Sequence, residues 1–463
     1  MNQYHYPNLQ VVVLAAGQGK RMRSTMPKVL HDVLGKSMLS HVLAGIEALC
    51  PQGIALVTGH GGEQVYAAVE KAYHVSSITQ AEQLGTGHAV QQAEAVCVNA
   101  DNVLIVCADT PLLQAATLAS LLERHAQLDA DISFLSAKVD KPTGYGRVCR
   151  NQQGSVESIV EERDASDAER LLNEVSSGIF CVKQKLLFQL LKQIDNNNQQ
   201  SEYYLPSIVP LALQQGAKVE AVVMTDANEM LGVNDRTQLR HVTELLQQRV
   251  IEDWEKEGVS IEQPNTVRID VSVKIGMDTV IRAGSQLLGN TAVGDGCKVG
   301  PYAVIKQSWV DDYVKIHAFS HLEQAHVGAH ADIGPYARLR PQAELDEGVK
   351  IGNFVEIKKS VIGQNSKVNH LSYIGDTTMG QDCNVGAGTI TCNYDGANKH
   401  KTVIGDRAFI GSDTKLIAPV TVGDGATIGA GSVITKVVQK DGLTLSARPE
   451  QRYVKDWKRP EKS

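Results

Sequence analysis

Apolar and polar positions follow two different rules along this chain. From residue 10 to about 234, short aliphatic runs alternate with stretches of helical spacing. Val11–Leu14, Ile54–Val57, Val103–Val106, Ile132–Val139 and Val219–Met224 read as strands, with amphipathic helices at Met38–Leu49 and Thr117–Leu128. Such alternation predicts a mainly parallel sheet covered on both faces, with ligands at the carboxyl ends of its strands. Gly17 and Asp109 fall at those ends. Over 236–257, Leu239, Val242, Leu245, Leu246, Val250 and Trp254 recur at helical spacing until Gly258 stops them. This helix reads as a linker, dividing the chain into 1–235, 236–258 and 259–463.

From Ile275 the period becomes six. Ile275, Ile281, Leu287, Val293, Val299 and Ile305 are one run, and Val327, Ile333, Leu339, Leu345, Ile351 and Ile357 continue it after a phase reset. Ile410, Leu416, Val422, Ile428 and Ile434 form a third. One apolar residue per side, with small residues at the corners, is the hexapeptide pattern of a parallel β-helix. Two places break it: the polar insertion Thr391–Thr402, which carries Asn393, Tyr394 and Lys399, and His370 between Val368 and Ile374. A loop ejected from a solenoid marks a candidate functional segment.

Composition narrows the classes. A net charge of −7 over 463 residues argues against a general nucleic-acid or membrane-surface binder, so an anionic substrate must be met by local cations. No apolar run approaches the ~20 residues of a membrane span, and the start MNQYHYPNLQ lacks the features of a signal peptide. The eight cysteines show neither a Cys-x-x-Cys pair nor zinc spacing, which fits reduced thiols in a cytoplasmic protein.

The turn after the first strand, Leu14-Ala15-Ala16-Gly17-Gln-Gly19-Lys-Arg21-Met22, is glycine-rich but matches neither familiar phosphate motif. Met22 stands where a dinucleotide fingerprint has glycine or alanine, and Gly-Lys-Ser/Thr is missing at P-loop spacing. Arg21 and Pro27-Lys28 instead place cations just past a backbone turn, an arrangement suited to a triphosphate. This stretch resembles the signature of sugar-1-phosphate nucleotidyltransferases. Ala81–His88, Pro142–Arg147, Glu202-Tyr203-Tyr204 and Gly232-Val-Asn234 extend the likeness. Arg338–Pro341, Asn353–Lys359 and Gly388–Gly396 carry it into the solenoid. Together they resemble the bacterial enzymes that combine N-acetylglucosamine-1-phosphate uridylyltransferase with glucosamine-1-phosphate N-acetyltransferase.

That resemblance implies a Rossmann-like α/β nucleotidyltransferase domain followed by a left-handed parallel β-helix. It implies UTP and a sugar-1-phosphate at the first site, with Arg21 and Lys28 acting on the triphosphate and Leu14–Gly17 beside it. It implies Mg²⁺ on Asp109 and Asn234. Alone, Asp109 would read as a turn residue and Asn234 would carry no weight. Gln80, Gly85 and Thr86 match positions that read uracil, and Gly146, Glu161 and Ser176 match those that hold the amino sugar. Two departures stand here: Cys107-Ala108 replaces Tyr-Gly, and Ser176 replaces Asn. Neither removes a charge, so tuned affinity rather than lost activity is expected.

Acetyl transfer from acetyl-CoA to an amine needs a base with a pKa near neutrality, for which histidine is suited. His370 alone would read as a surface residue. The resemblance makes it that base, with Arg340, Glu356, Lys358, Tyr373 and Asn384 around the sugar phosphate. It sets Asn393-Tyr394 as the closing loop, and Ala387, Ser412, Ala430 and Arg448 beside coenzyme A. Arg340 and Lys358 lie 18 residues apart, which stacks them on one face if three hexapeptides make a coil. The resemblance also implies a homotrimer, with the tail Trp457–Pro460 as an arm against a neighbour. The six-residue period does not fix handedness, and the general crossover rule points to the right hand. The rival readings are a monofunctional nucleotidyltransferase with a scaffolding β-helix and a non-catalytic assembly subunit.

Overall fold

The computed structural model describes residues 4–17, 19–59, 61–446 and 453–457. Its contacts divide the chain into two units, Met1–Leu246 and Gln247–Ser463, a boundary inside the helix Arg236–Lys256.

In the first unit the main sheet runs Val219–Val223, Ile132–Lys138, Glu174–Lys183, Asn102–Cys107, Tyr6–Ala15, Pro51–Thr58, Ser76–Thr79. Val11, Val12 and Val13 are all fully buried, and successive side chains enter different cores: Val11 and Val13 one, Val12 the other. That is why the strand reads as a continuous apolar run rather than an alternating one. From Tyr6–Ala15 the chain builds outward to Pro51–Thr58 on one side and later to Asn102–Cys107 on the other. This strand-order reversal opens a crevice at the carboxyl ends, just where Gly17 and Asp109 leave the sheet.

The sheet is less parallel than expected. Glu174–Lys183, a strand the apolar pattern did not single out, runs antiparallel to both neighbours. Its ladder breaks between Ser176 and Phe180, with Gly178 at φ +77°. A bulge of this kind re-aims side chains near sites, and the Ser-Ser-Gly run at its heart masks the strand in the sequence.

The second unit is a three-sided parallel β-helix whose sheets, among the described residues, hold eleven, ten and nine strands. Each side points one aliphatic residue inward. Ile281, Val299, Ile316 and Ile333 stack in the first sheet, Leu287, Ile305, Leu322 and Leu339 in the second, and Val293, Val310 and Val327 in the third. All join one continuous core. The phase resets now have a cause. Val293 pairs with Val310 and Val310 with Val327, seventeen residues on rather than eighteen, because one corner is a residue shorter. The insertion leaves the ladder intact, since Met379 pairs with Ile404 across it. Among the described residues no helix is long and apolar enough to cross a membrane.

Leu339 is fully buried at mid-solenoid. Leu339→Ala should destabilise the second unit by about 3 kcal/mol, read as a lower denaturant midpoint with an unchanged slope.

Candidate functional sites

A cleft of about 260 Å³ lies at the crevice of the first unit. Of the predicted residues, Leu14, Ala15, Ala16, Gly17, Lys28, Gln80, Gly85, Thr86 and Asp109 line it. Two turns shape its walls. Gly19, at φ +60°, opens the 3-10 turn Lys20–Met22. Gly85, at φ +115°, packs so tightly that a Cβ would sit 2.6 Å from the Tyr203 carbonyl oxygen. The Thr86 hydroxyl accepts from the Leu205 N–H at 3.0 Å, and Gly87 N–H donates to Tyr203 at 2.8 Å, stitching both loops together. Arg21 is exposed on the 3-10 turn and does not line the cleft.

Lys28 organises the floor. Its ammonium donates to Asp109 Oδ2 at 2.5 Å and to Asn234 Oδ1 at 3.2 Å. The Lys28 and Asp109 side chains are only 10% and 21% exposed, so the pair is shielded far better than a surface ion pair. Asn234 arrives because the Val233 N–H donates to the Asp109 carbonyl at 3.0 Å. Two oxygens thus converge on one cationic position. This suits a hard divalent ion, which takes one or two protein oxygens and completes its shell with water and substrate phosphates. Among the described residues no group of three or more His, Cys, Asp or Glu could hold a metal by itself.

Gly146, Glu161 and Ser176 form a neighbouring group. Ser176 N–H donates to Gly146 at 2.8 Å, and a Cβ on Gly146 would lie 3.5 Å from Glu161 Oε1. Arg147, almost wholly buried, fixes the loop before it, pairing with Glu162 at 2.7 Å and bonding the Tyr145 carbonyl. Burial, with Asp164 and Glu202 nearby, raises the Glu161 carboxyl above its usual range. Cys107 connects the two groups. Burial chiefly, aided by Asp109 and Glu161 and opposed by Lys28, pushes its thiol up to about 12. Gln83, Cys107 and Glu202 line the cleft although no site role was expected of them; all three stand inside or beside the motifs quoted above.

In the solenoid, register assembles the second group. The Asn353↔His370 pair, extended through Val368↔Val385, Val385↔Ile410 and Ile410↔Ile428, sets Asn353, His370, Ala387, Ser412 and Ala430 in one outward column. Asn353 Oδ1 lies 2.9 Å from His370 Nδ1. An amide oxygen only accepts, so Nδ1 donates and Nε2 is the ring nitrogen left for a substrate. Below His370 the column holds only small side chains. Around the corner, the second sheet presents Arg340, Glu356, Lys358 and Tyr373 outward. Arg340 donates to Glu356 at 2.8 Å, and its register neighbour is Lys358. Asn384 stands beside Lys367 in the first sheet.

The insertion is an ordered hairpin. Tyr394 and Lys399 bridge antiparallel, while Asp395 accepts from Ala397 and Asn398 N–H groups and from His400 at 2.6 Å. Those bonds hold its carboxyl well below the carboxylate range. Asn393 Nδ2 reaches Asp376 at 2.6 Å and the Tyr373 hydroxyl at 3.4 Å. Asp376, buried and unforeseen, also lies 3.8 Å from Lys358 and 3.9 Å from Lys359. The Lys358 ammonium lowers the proton affinity of Lys399 on the hairpin. A larger groove, about 510 Å³, runs along the third sheet past Gln342, Lys359, Lys399 and Lys401, taking in Lys359 of the quoted motif and Lys399 of the insertion but none of the expected site residues. Arg448 and 458–460 lie outside the described residues; Trp457 is exposed.

Comparison with known proteins shows the family of both units. A MobA-like NTP transferase domain matches residues 11–176, and the bacterial transferase hexapeptide (six repeats) matches 272–307 and 401–436. With these matches, the first unit is a Rossmann-like nucleotidyltransferase fold and the solenoid a left-handed parallel β-helix. The Bifunctional protein GlmU of Marinobacter nauticus is 45% identical over 456 residues, covering 98% of this chain and 99% of that one. Its namesake in Alkalilimnicola ehrlichii is 45% identical over 452 residues, 98% and 96% of the two chains. That of Halalkalibacterium halodurans is 44% identical over 440 residues, 95% and 96%. A solved UDP-glucose pyrophosphorylase complexed with UDP-glucose overlaps 52% of this chain at 14% identity and a TM-score of 0.44, a likeness that carries no argument. Identity at this level spans nearly the whole of each chain, and the chain belongs to the bifunctional GlmU family.

Proposed function

We propose that the two sites divide two reactions between them, uridylyl transfer in the cleft and acetyl transfer on the histidine column. The protein is a bifunctional enzyme of UDP-N-acetylglucosamine synthesis. It acetylates glucosamine-1-phosphate from acetyl-CoA, then transfers UMP from UTP to N-acetylglucosamine-1-phosphate with release of pyrophosphate. Residues 1–235 serve the second step and 259–463 the first, with 236–258 as the link. Full-length likeness to bifunctional relatives leaves no support for a merely scaffolding solenoid.

The convergence of Lys28, Asp109 and Asn234 carries the uridylyl assignment. A sugar-phosphate oxygen attacks the α-phosphorus of UTP as the bond to pyrophosphate breaks. Such a transfer asks chiefly for positioning and charge stabilisation. Lys28 holds negative charge on the triphosphate, the Leu14–Gly17 turn lies along it, and Arg21 adds a cation from outside the cleft. Asp109 and Asn234 would hold Mg²⁺, which when bound neutralises phosphate charge. Gln80, Gly85 and Thr86 face the uracil, and Gly146, Glu161 and Ser176 the acetamido sugar.

The Asn353–His370 bond carries the acetyl assignment. It keeps the Nε2 lone pair outward, where it takes a proton from the substrate ammonium. The freed amine attacks the thioester carbonyl, and the coenzyme A thiolate leaves. Arg340, Lys358, Glu356, Tyr373 and Asn384 hold the sugar phosphate. The small residues Ala387, Ser412 and Ala430 leave a groove for the pantetheine arm, and Asn393-Tyr394 close it, with Arg448 as a further coenzyme A contact. We infer a cytoplasmic homotrimer. Eight cysteines with neither a Cys-x-x-Cys pair nor zinc spacing support the compartment. An exposed ring stack, Tyr302, Phe319, Tyr336 and Phe354 at 5.0–5.3 Å, supports a face covered by another copy.

Assays of the two reactions on one preparation test the division. His370→Ala should cut acetyl transfer by roughly 10²–10⁴-fold and leave uridylyl transfer untouched, while Asp109→Ala does the reverse; loss of both activities in a folded single variant would sink the scheme. Adding EDTA should stop uridylyl transfer and spare acetyl transfer. For Asn353→Ala, we expect acetyl transfer to fall by about tenfold, because the proton is no longer pinned to Nδ1.

A further inference from the structure

Gln80 is buried, 3% exposed, yet it lines the nucleotide cleft. Its backbone N–H donates to the Thr58 carbonyl at 2.7 Å, anchoring it where the strand Ser76–Thr79 ends. Its side-chain amide nitrogen lies 3.1 Å from the Gly85 carbonyl oxygen and 3.0 Å from His88 Nδ1. A carbonyl oxygen only accepts, so the edge turned to Gly85 is the NH₂ edge. His88 Nδ1 must then accept the second N–H, which puts the ring proton on Nε2. The Gln92 amide nitrogen, 3.2 Å from that ring nitrogen, donates instead to the His88 carbonyl oxygen at 3.2 Å and holds the residue on its helix.

Both N–H bonds of the Gln80 amide are therefore spent on the protein. Its Oε1 receives no hydrogen bond from any described residue, and the cleft that Gln80 lines is where a donor can reach it. A buried acceptor aimed into a site demands a donor from the ligand, and a ligand that offers a lone pair instead leaves it unsatisfied. The partners on the far side of the amide hold it this way. Gly85 is immobilised against Tyr203, and His88 sits on the short helix Thr86–Gln91 stitched to the same strand of backbone.

We propose that His88 is a positioning residue for base selection. By accepting from the Gln80 amide it holds Oε1 toward the nucleobase, so the site takes a base with an imide N–H, as uracil has. It rejects one with a bare ring nitrogen at that place, as cytosine has. The inference rests on the uridylyl reading of the cleft and goes beyond it by naming what sets the sense of the reading group.

The test compares kcat/KM for UTP and CTP, with N-acetylglucosamine-1-phosphate, in the full-length protein and its His88→Ala and His88→Asn variants. The UTP/CTP ratio is independent of the fraction folded, so a variant that folds poorly still reports. His88→Ala should lower the ratio roughly tenfold, mainly through a higher KM for UTP. His88→Asn, whose side-chain oxygen still accepts, should retain more of it. If UTP and CTP turnover fall together at a constant ratio in both variants, His88 is structural and the proposal is overturned. If the unaltered protein turns over neither nucleotide, the uridylyl reading itself is wrong and this inference falls with it.

Discussion

Parallel register is the constraint on which the second unit depends. Once each side of a coil must bury one aliphatic residue against the coil before it, the position of every outward side chain is fixed too. Ile351, Val368, Val385, Ile410 and Ile428 stack inward, and two residues further on Asn353, His370, Ala387, Ser412 and Ala430 stack outward without any separate device. A histidine above a run of small side chains is therefore a product of the core. The same ladder brings Arg340 beside Lys358 and Glu356 beside Tyr373.

The first unit solves its problem with a switch in strand order. Two parallel neighbours, Tyr6–Ala15 and Asn102–Cys107, end side by side, and the turns beyond them carry Gly17 and Asp109. What converts proximity into a site is the Lys28 ammonium, which bonds both the Asp109 carboxylate and Asn234, a residue far away in sequence that the Val233 N–H bond to the Asp109 carbonyl brings alongside. Behind the cleft the bulged strand places Gly178 against Cys107 and lets Ser176 reach Gly146.

Much of this was legible in the residues. The six-residue period exposed the solenoid because a narrow core repeats one simple demand. The phase resets at Val327 were visible but not their cause, since a seventeen-residue coil differs from an eighteen-residue one only by a shortened corner. Glu174–Lys183 escaped because Ser176, Ser177 and Gly178 interrupt its apolar run at the bulge. Motifs located Lys28, Asp109 and Gln80, whereas Asp376 had no signal, because its importance comes from three side chains that meet only in the fold: Lys358, Lys359 and Asn393. Arg21 shows the opposite case, a motif residue that stays on the surface.

The ejected hairpin has a consequence of its own. Met379 and Ile404 pair as though the residues between them were not there, and Asp395 folds the intervening segment on itself. Scaffold and loop are thus separable units of heredity. Substitutions, or even changes in length, within the hairpin can be sampled without disturbing the stack of coils, while a residue gained or lost inside a strand, away from the corner that absorbs the seventeen-residue coils, turns its inward side chain outward.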